Sequence, residues 1–429
     1  MLKTIQPSGP LSGSLVLPGD KSISHRYAIL ASIAEGKSTI RNYSTGADCH
    51  STLGAVRALG IDVSVEGTTV TVNGKGLDGW SAPASDLDAG NSGSLIRMMA
   101  GILAAQPFTS RVFGDESLTG RPMGRIIAPH TAMGARIEAR DGKYPPLTIH
   151  GAKLKTIDYT LPVASAQVKT CVLFAGLYCD GETTVREPVR SRDHTEVALR
   201  EFGADISVVQ RVISLQGRPT LTGRNLTVPS DISSAAFFLV AALLVPGSDL
   251  TIRGVGLNPT RSMLLDFLIS AGARITVSAL EQVNGEMIGD IRVRHAEIRG
   301  GTIEKEIAAG LIDEVPVLAV LGAASSEGLT VRDAKELRVK ETDRIATTAE
   351  NLRRMGIVVE EFEDGMRIPG GQKFRAAAVD SFGDHRIAMA FAVAALASDG
   401  PCRIDGAEAA SVSFPEFYNL LGTALDTTL

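Results

Sequence analysis

Cationic side chains in this sequence gather in short, polar, turn-rich stretches. Gly120-Arg121-Pro122-Met123-Gly124-Arg125 is one, Ser191-Arg192-Asp193-His194 is another, and Arg338-Val339-Lys340-Glu341-Thr342-Asp343-Arg344 is the densest. Arginine pairs bidentately with phosphate and carboxylate, so these stretches point to binding of small phosphorylated anions. A second group of polar residues opens apolar, Ala-rich runs. It comprises Lys21-Ser22 with Arg26, Asn91-Ser92-Gly93-Ser94, Ser165-Ala166-Gln167, Asp231-Ile232-Ser233-Ser234, Asp313-Glu314 and Asp384-His385-Arg386. The first turn of a helix carries free N–H groups and partial positive charge, which favour anions. Gly93 allows a ligand close to the backbone.

Each feature alone has a plainer reading. Serine or aspartate before a helix is usually a cap. Residues 340–344 could form a solvated helix face, with Lys340 and Arg344 paired around acids. Arg121 beside Pro122 could be surface loop, Asp313-Glu314 a dipole cap, and His194 and His385 structural. What favours function is that these residues recur at matching points of a repeat.

The repeat is a helix, a glycine, a small or β-branched residue and a strand. It occurs around Gly60, Gly134, Gly203, Gly272 and Gly356, with a weaker sixth copy at Leu421-Gly422-Thr423-Ala424-Leu425. Turns at Gly36, Pro107, Gly181, Gly247, Gly328 and Gly400 precede these elements and lead into β-rich runs. The Ala-rich runs upstream are apolar nearly all round, so they are interior helices. Each unit should bury one helix under strands and an outer helix. Six units divide into three and three, with residues 1–19 plus 230–429 as one domain and 20–229 as the other. Hinges are expected near 19–20 and 228–231. The first unit needs the segment up to Gly19 as a crossing strand, or else that segment belongs to the other half, with two chain crossings. If the buried helices run parallel, their starts face one cleft.

Composition narrows the alternatives. A chain of 429 residues exceeds one hydrophobic core. The net charge of -5, without a basic stripe, disfavours nucleic acid as a partner. The four cysteines have no metal-ligand spacing and read as reduced thiols of a cytoplasmic protein. The longest apolar stretch, residues 235–245, is too short to span a bilayer, so no membrane partner is expected. Gly74-Lys75-Gly76-Leu77-Asp78-Gly79 matches a dinucleotide fingerprint but is followed by Trp80-Ser81-Ala82-Pro83 rather than a helix.

Taken together, Pro18-Gly19-Asp20-Lys21-Ser22-Ile23-Ser24-His25-Arg26 resembles the signature of the 5-enolpyruvylshikimate-3-phosphate synthase family. So do Gly90-Asn91-Ser92-Gly93-Ser94 with Arg97, Arg121-Pro122-Met123, the 338–344 block and Asp384-His385-Arg386. The resemblance runs from Leu2 to about Phe417. Ser165-Ala166-Gln167-Val168-Lys169 is similar to the branch that includes glyphosate-insensitive enzymes.

The resemblance implies an α/β protein of two inside-out domains, each of three β-α-β-α-β-β units. It implies transfer of the enolpyruvyl group of phosphoenolpyruvate to shikimate-3-phosphate, without metal or organic cofactor. Apart from the resemblance, a monomer is expected. Under it, Lys21, Ser22, Arg26, Ser165, Ala166, Gln167, Arg192, Asp313 and Lys340 contact shikimate-3-phosphate. Lys21, Gly93, Arg121, Gln167, Arg344 and Arg386 contact phosphoenolpyruvate. Asp313 is the expected base at the 5-hydroxyl and Glu341 the acid at the methylene, with Lys21 also in the catalytic set. Two departures stand out. Val412 replaces a common Lys before Ser413-Phe414-Pro415, and Ser92 and Ser94 flank Gly93 where Ala and Thr are commoner. Gly93 leaves room that an alanine would remove, which implies inhibition by glyphosate. UDP-N-acetylglucosamine enolpyruvyl transferases share the fold, but they have Lys-Asn at the first helix and a loop Cys. Here Ser22 follows Lys21, and residues 113–120 contain no Cys. A non-catalytic phospho-ligand sensor would need neither Asp313 nor Glu341.

Overall fold

The computed structural model describes residues 1–426 of the chain. The chain divides into two compact units. One comprises Met1–Pro18, Pro229–Gln282 and Met287–Leu429; the other comprises Gly19–Val228 and Val283–Glu286. This differs from the sequence expectation at three places, each with a local cause. Gly19 goes with the second unit, where a Cβ on it would lie 1.8 Å from the Asn42 carbonyl oxygen. Pro229 goes with the first unit, packed against Gly256. The hairpin tip 283–286 goes with the second unit, through Asn284 accepting from the Thr227 amide at 3.0 Å and Glu286 meeting His194 at 2.7 Å.

Among the described residues, each unit wraps three sheets around three buried helices. In the second unit these are Lys21–Ser32, Gly93–Leu103 and Ala166–Gly176. In the first they are Ile232–Leu244, Val315–Ala324 and His385–Leu396. The last of these is buried along its whole length, as an all-round apolar sequence requires. The strands and the remaining helices lie outside, so the layering is inside-out. Among the described residues no single helix is long and apolar enough to cross a membrane.

Among the described residues, five of the six sheets have four strands in one pattern. The first strand pairs parallel with the second, and the second antiparallel with the third. The repeated glycine has a specific job. Gly60, Gly134, Gly203, Gly272 and Gly356 take φ of 83°, 100°, 98°, 106° and 78°, the left-handed conformation that ends a helix and releases the chain into a strand.

The sixth copy departs from this. Gly422 lies inside the Phe417–Ala424 helix, and no strand follows it among the described residues. The strand Lys3–Ile5 pairs antiparallel with Cys402–Asp405 instead, in a sheet of three strands. Of the two placements open for the N-terminal segment, the structure has the one in the other half. Asn225–Thr227, not the N-terminal segment, pairs parallel with Thr39–Arg41 and completes the first repeat. Ser12–Val16 pairs parallel with Asp249–Arg253 in the other unit.

Candidate active site

In the second unit, caps place the ligand-type residues. Asp20 accepts from the Ile23 amide at 2.9 Å, which sets Lys21 and Ser22 in the first turn of the first buried helix. Lys21 Nζ donates to Asp48 Oδ2 at 3.0 Å. Arg26, one turn further, is buried. Its Nε donates to Thr195 Oγ1 at 2.6 Å, Nη1 to the Ser22 carbonyl at 2.8 Å and Nη2 to Thr170 Oγ1 at 2.9 Å. Burial lowers its pKa to about 10, with Glu196 and Asp20 opposing that shift and Arg192 adding to it, so it stays charged at neutral pH.

The second and third buried helices meet at their starts. Ser92 caps Leu95 at 3.1 Å and Ser165 caps Val168 at 3.4 Å. Gln167 bridges the two helices, its Oε1 accepting from Arg97 Nη1 at 2.7 Å and its Nε2 donating to Ser94 Oγ at 2.9 Å. Arg121 is buried and held by Asn91, with Nη2 donating to Asn91 Oδ1 at 2.7 Å. Gly93 lies beneath two guanidinium groups. A Cβ there would sit 2.9 Å from Arg97 Nη1 and 3.3 Å from Arg121 Nη1. Arg192 is half-buried in the irregular segment before the His194–Phe202 helix.

His25, within the same opening block, is fully buried with Nδ1 2.6 Å from Thr52 Oγ1. Burial, then the Lys21 and Arg26 charges, bring its pKa down from 6.5 to about 3. The unfolded chain therefore takes up a proton below pH 6.5 that the folded chain refuses until about pH 3. His25 should thus cost stability as pH falls through that window, at roughly 1.4 kcal/mol per pH unit. His25→Gln is expected to flatten the pH dependence of urea unfolding between pH 6 and pH 4. An unchanged slope would contradict this.

In the first unit, Asp313 lies in the turn between the helices Lys305–Leu311 and Val315–Ala324. Its Oδ1 accepts from Lys340 Nζ at 3.2 Å and from Arg344 Nη1 at 3.4 Å, and its carbonyl accepts from Arg386 Nη1 at 2.8 Å. Arg344 is the hub, 1% exposed. Besides Asp313 it donates to Glu341 Oε2 at 2.6 Å and to Asp384 Oδ2 at 2.8 Å. Burial opposes its charge, yet Asp384, Glu341 and Asp313 together raise its pKa. Asp384 shows the converse. Burial pushes its pKa up, but Arg344 beside it brings the carboxyl below its ordinary value. Asp384 also caps its helix at the Arg386 amide, 2.9 Å away, so one carboxylate positions both arginines.

The 338–344 block is therefore not a continuous helix face. A 3-10 helix spans Lys335–Val339, and Arg344 begins a new helix capped by Asp343. Lys340 and Arg344 are both aimed at Asp313 rather than paired along a helix. Arg338 is structural. It donates to Asp343 at 2.6 Å and to the carbonyls of Phe362 and Glu363.

Sequence reasoning missed several partners. Asp48 looks like an ordinary first-turn acid, and Thr170, Thr195 and Glu314 carry no local signal. Glu314 Oε1 accepts from Ser233 Oγ and meets Arg386 at 3.5 Å, which joins the starts of all three buried helices of the first unit. Among the described residues, no group of three or more His, Cys, Asp or Glu side chains could hold a metal ion.

These features define a class: an inside-out α/β-repeat protein whose helix starts carry arginine and lysine side chains, with three carboxylates around Arg344. The EPSP synthase (3-phosphoshikimate 1-carboxyvinyltransferase) family model matches residues 5–421. A 3-phosphoshikimate 1-carboxyvinyltransferase of Solibacter usitatus is 69% identical, covering 98% of this chain and 99% of the relative. One of Koribacter versatilis is 49% identical over 98% of this chain and 99% of its own. The 2.37 Å structure of EPSP synthase from Acinetobacter baumannii superposes with a TM-score of 0.88 at 42% identity, covering 99% of this chain and 98% of that one. The chain belongs to the EPSP synthase family.

Proposed function

We propose that Asp313 and Glu341 are the base and acid of this family's reaction in the present chain, with Lys21, Arg344 and Arg386 offsetting the charge of the reactants. The reaction transfers the enolpyruvyl group of phosphoenolpyruvate to the 5-hydroxyl of shikimate-3-phosphate. It releases inorganic phosphate and forms 5-enolpyruvylshikimate-3-phosphate, on the route to aromatic amino acids.

The observation that carries the assignment is the sharing of Arg344 by Asp313 and Glu341, at 3.4 and 2.6 Å. Asp313, held between Lys340 and Arg344, is the group placed to take the 5-hydroxyl proton. The freed oxygen attacks C2 of phosphoenolpyruvate while Glu341 protonates the methylene. The adduct then carries a methyl, a carboxylate, a phosphate and the new ether on one carbon. Return of a methyl proton to the Glu341 carboxylate and cleavage of the C–O bond to phosphate restore the alkene.

Lys21, Ser22, Arg26, Ser165, Ala166, Gln167, Arg192, Asp313 and Lys340 are assigned to shikimate-3-phosphate. Lys21, Gly93, Arg121, Gln167, Arg344 and Arg386 are assigned to phosphoenolpyruvate. The substrates bring two phosphates and two carboxylates, so a set of cations is needed to offset the mutual repulsion. Gly93→Ala places a methyl against Arg97 and Arg121. It is expected to raise KM for phosphoenolpyruvate several-fold and to weaken glyphosate inhibition, with KM for shikimate-3-phosphate little changed. Steady-state kinetics with and without glyphosate check this, and unchanged donor KM and inhibition would count against the placement of Gly93.

We further infer a cytoplasmic monomer that needs neither nucleic acid nor membrane. The four buried, free thiols and the net charge of -5 support this. The reaction is tested by phosphate release from phosphoenolpyruvate with shikimate-3-phosphate or UDP-N-acetylglucosamine as acceptor. Release with only the first is expected. Release with the second, or with neither, would overturn the reading.

A further inference from the structure

Behind the starts of the second unit's helices lies a buried charge cluster that the reaction does not use. Lys169, 0% exposed, meets Glu196 Oε1 at 2.7 Å and Glu187 Oε1 at 3.1 Å, and both carboxylates are themselves buried. A buried ion pair is weak evidence for stability, because apolar residues of similar volume often serve as well or better. Here two carboxylates also face one ammonium. Burial raises the pKa of Glu196, and Lys169 opposes that rise.

The connections of the cluster show what it does. Glu187 Oε1 accepts from the Ser191 amide at 3.2 Å and from Ser191 Oγ, closing the loop that leads into Arg192. Glu196 lies in the first turn of the His194–Phe202 helix, next to Thr195. Thr195 Oγ1 receives Arg26 Nε and lies 2.5 Å from Thr170 Oγ1, which receives Arg26 Nη2. Thr170 follows Lys169 on the same helix. Lys169 therefore ties together the segments on either side of Arg192 and the two threonines that aim Arg26. Glu196 also adds negative charge behind Arg26, which supports the protonated guanidinium against burial.

We propose that Lys169, Glu187 and Glu196 form a positioning triad for shikimate-3-phosphate, holding Arg26 through Thr195 and Thr170 and holding Arg192 through Ser191. The triad touches no reacting atom. This inference rests on the assignment of Arg26 and Arg192 to shikimate-3-phosphate.

The test uses the full chain with Glu196→Gln, which keeps an oxygen for Lys169 and removes one buried charge. It combines steady-state kinetics, calorimetric titration with shikimate-3-phosphate and thermal melting. KM and Kd for shikimate-3-phosphate are expected to rise about tenfold, the scale of one lost charge-assisted contact. KM for phosphoenolpyruvate and the melting temperature should stay near wild type. Combined with Arg26→Lys, the loss should be less than additive, because both changes act on one network. A folded variant with unchanged affinity for shikimate-3-phosphate, equal rises in both KM values, or additive losses would each overturn the proposal. Should Glu196→Gln fail to fold, Ser191→Ala cuts the Arg192 tie without altering buried charge. It is expected to raise KM for shikimate-3-phosphate alone, and an unchanged KM overturns the proposal. A wild-type chain that binds no shikimate-3-phosphate would instead remove the site assignment itself.

Discussion

Asp313→Ala is expected to lower kcat by about 10²–10⁴, the usual contribution of a positioned general base. It should leave the Kd for shikimate-3-phosphate within a few-fold of wild type. The separation follows from the contacts. Asp313 is one of three carboxylates around Arg344, and Asp384 and Glu341 still hold that guanidinium at 2.8 and 2.6 Å when Asp313 is gone. Lys340 loses a partner at 3.2 Å but stays close to solvent, so the frame of the site survives. What disappears is the group able to accept the 5-hydroxyl proton. Single-turnover kinetics and calorimetry on the same preparation check both halves. Equal loss of binding and rate would show that Asp313 is structural instead.

Arg344→Ala should have a larger effect on the fold. Asp384 is 0% exposed and Arg344 is its principal counter-charge. Removing one partner of a buried pair leaves an uncompensated charge, at a cost of about 3–5 kcal/mol. The pH dependence gives the sign. In the wild type the Asp384 pKa lies below 3.8, so its stabilising contribution is complete above that value and is lost as pH falls through the folded pKa. In the variant burial acts without Arg344 and drives the pKa up, so Asp384 takes a proton as pH falls and the charge penalty fades. The stability gap between the two proteins should be wide at pH 7 and narrower near pH 4.5. Urea unfolding at both pH values measures it, and a gap independent of pH would contradict the charge argument.

How much of this was legible in the sequence depends on range. The cap residues Asp20, Ser92, Ser165, Asp231 and Asp384 are local signals, and each accepts a backbone N–H at the start of a buried helix. The helix-ending glycines are equally local, because only a residue tolerant of positive φ suits that turn. The partners are not local. Asp48 lies 27 positions from Lys21, Thr195 lies 169 from Arg26, and Glu314 lies 81 from Ser233. No periodicity reports which side chains meet across repeats. The pairing of Asn225–Thr227 with the first repeat was hidden for the same reason, since a short strand does not announce its partner. The sixth glycine misled because Gly422 resembles its counterparts in sequence while it stays helical.

The central claim is that the enolpyruvyl carbon, not phosphorus, is the centre attacked. Phosphoenolpyruvate labelled with ¹⁸O at the bridging oxygen tests it most directly, with shikimate-3-phosphate as acceptor and mass spectrometry of the products. Addition at C2 followed by C–O cleavage predicts that the label leaves with phosphate and that the 5-oxygen of shikimate-3-phosphate is retained in the enol ether. Label recovered in pyruvate, with unlabelled phosphate and no enol ether, would mean P–O cleavage and would contradict the roles given to Asp313 and Glu341.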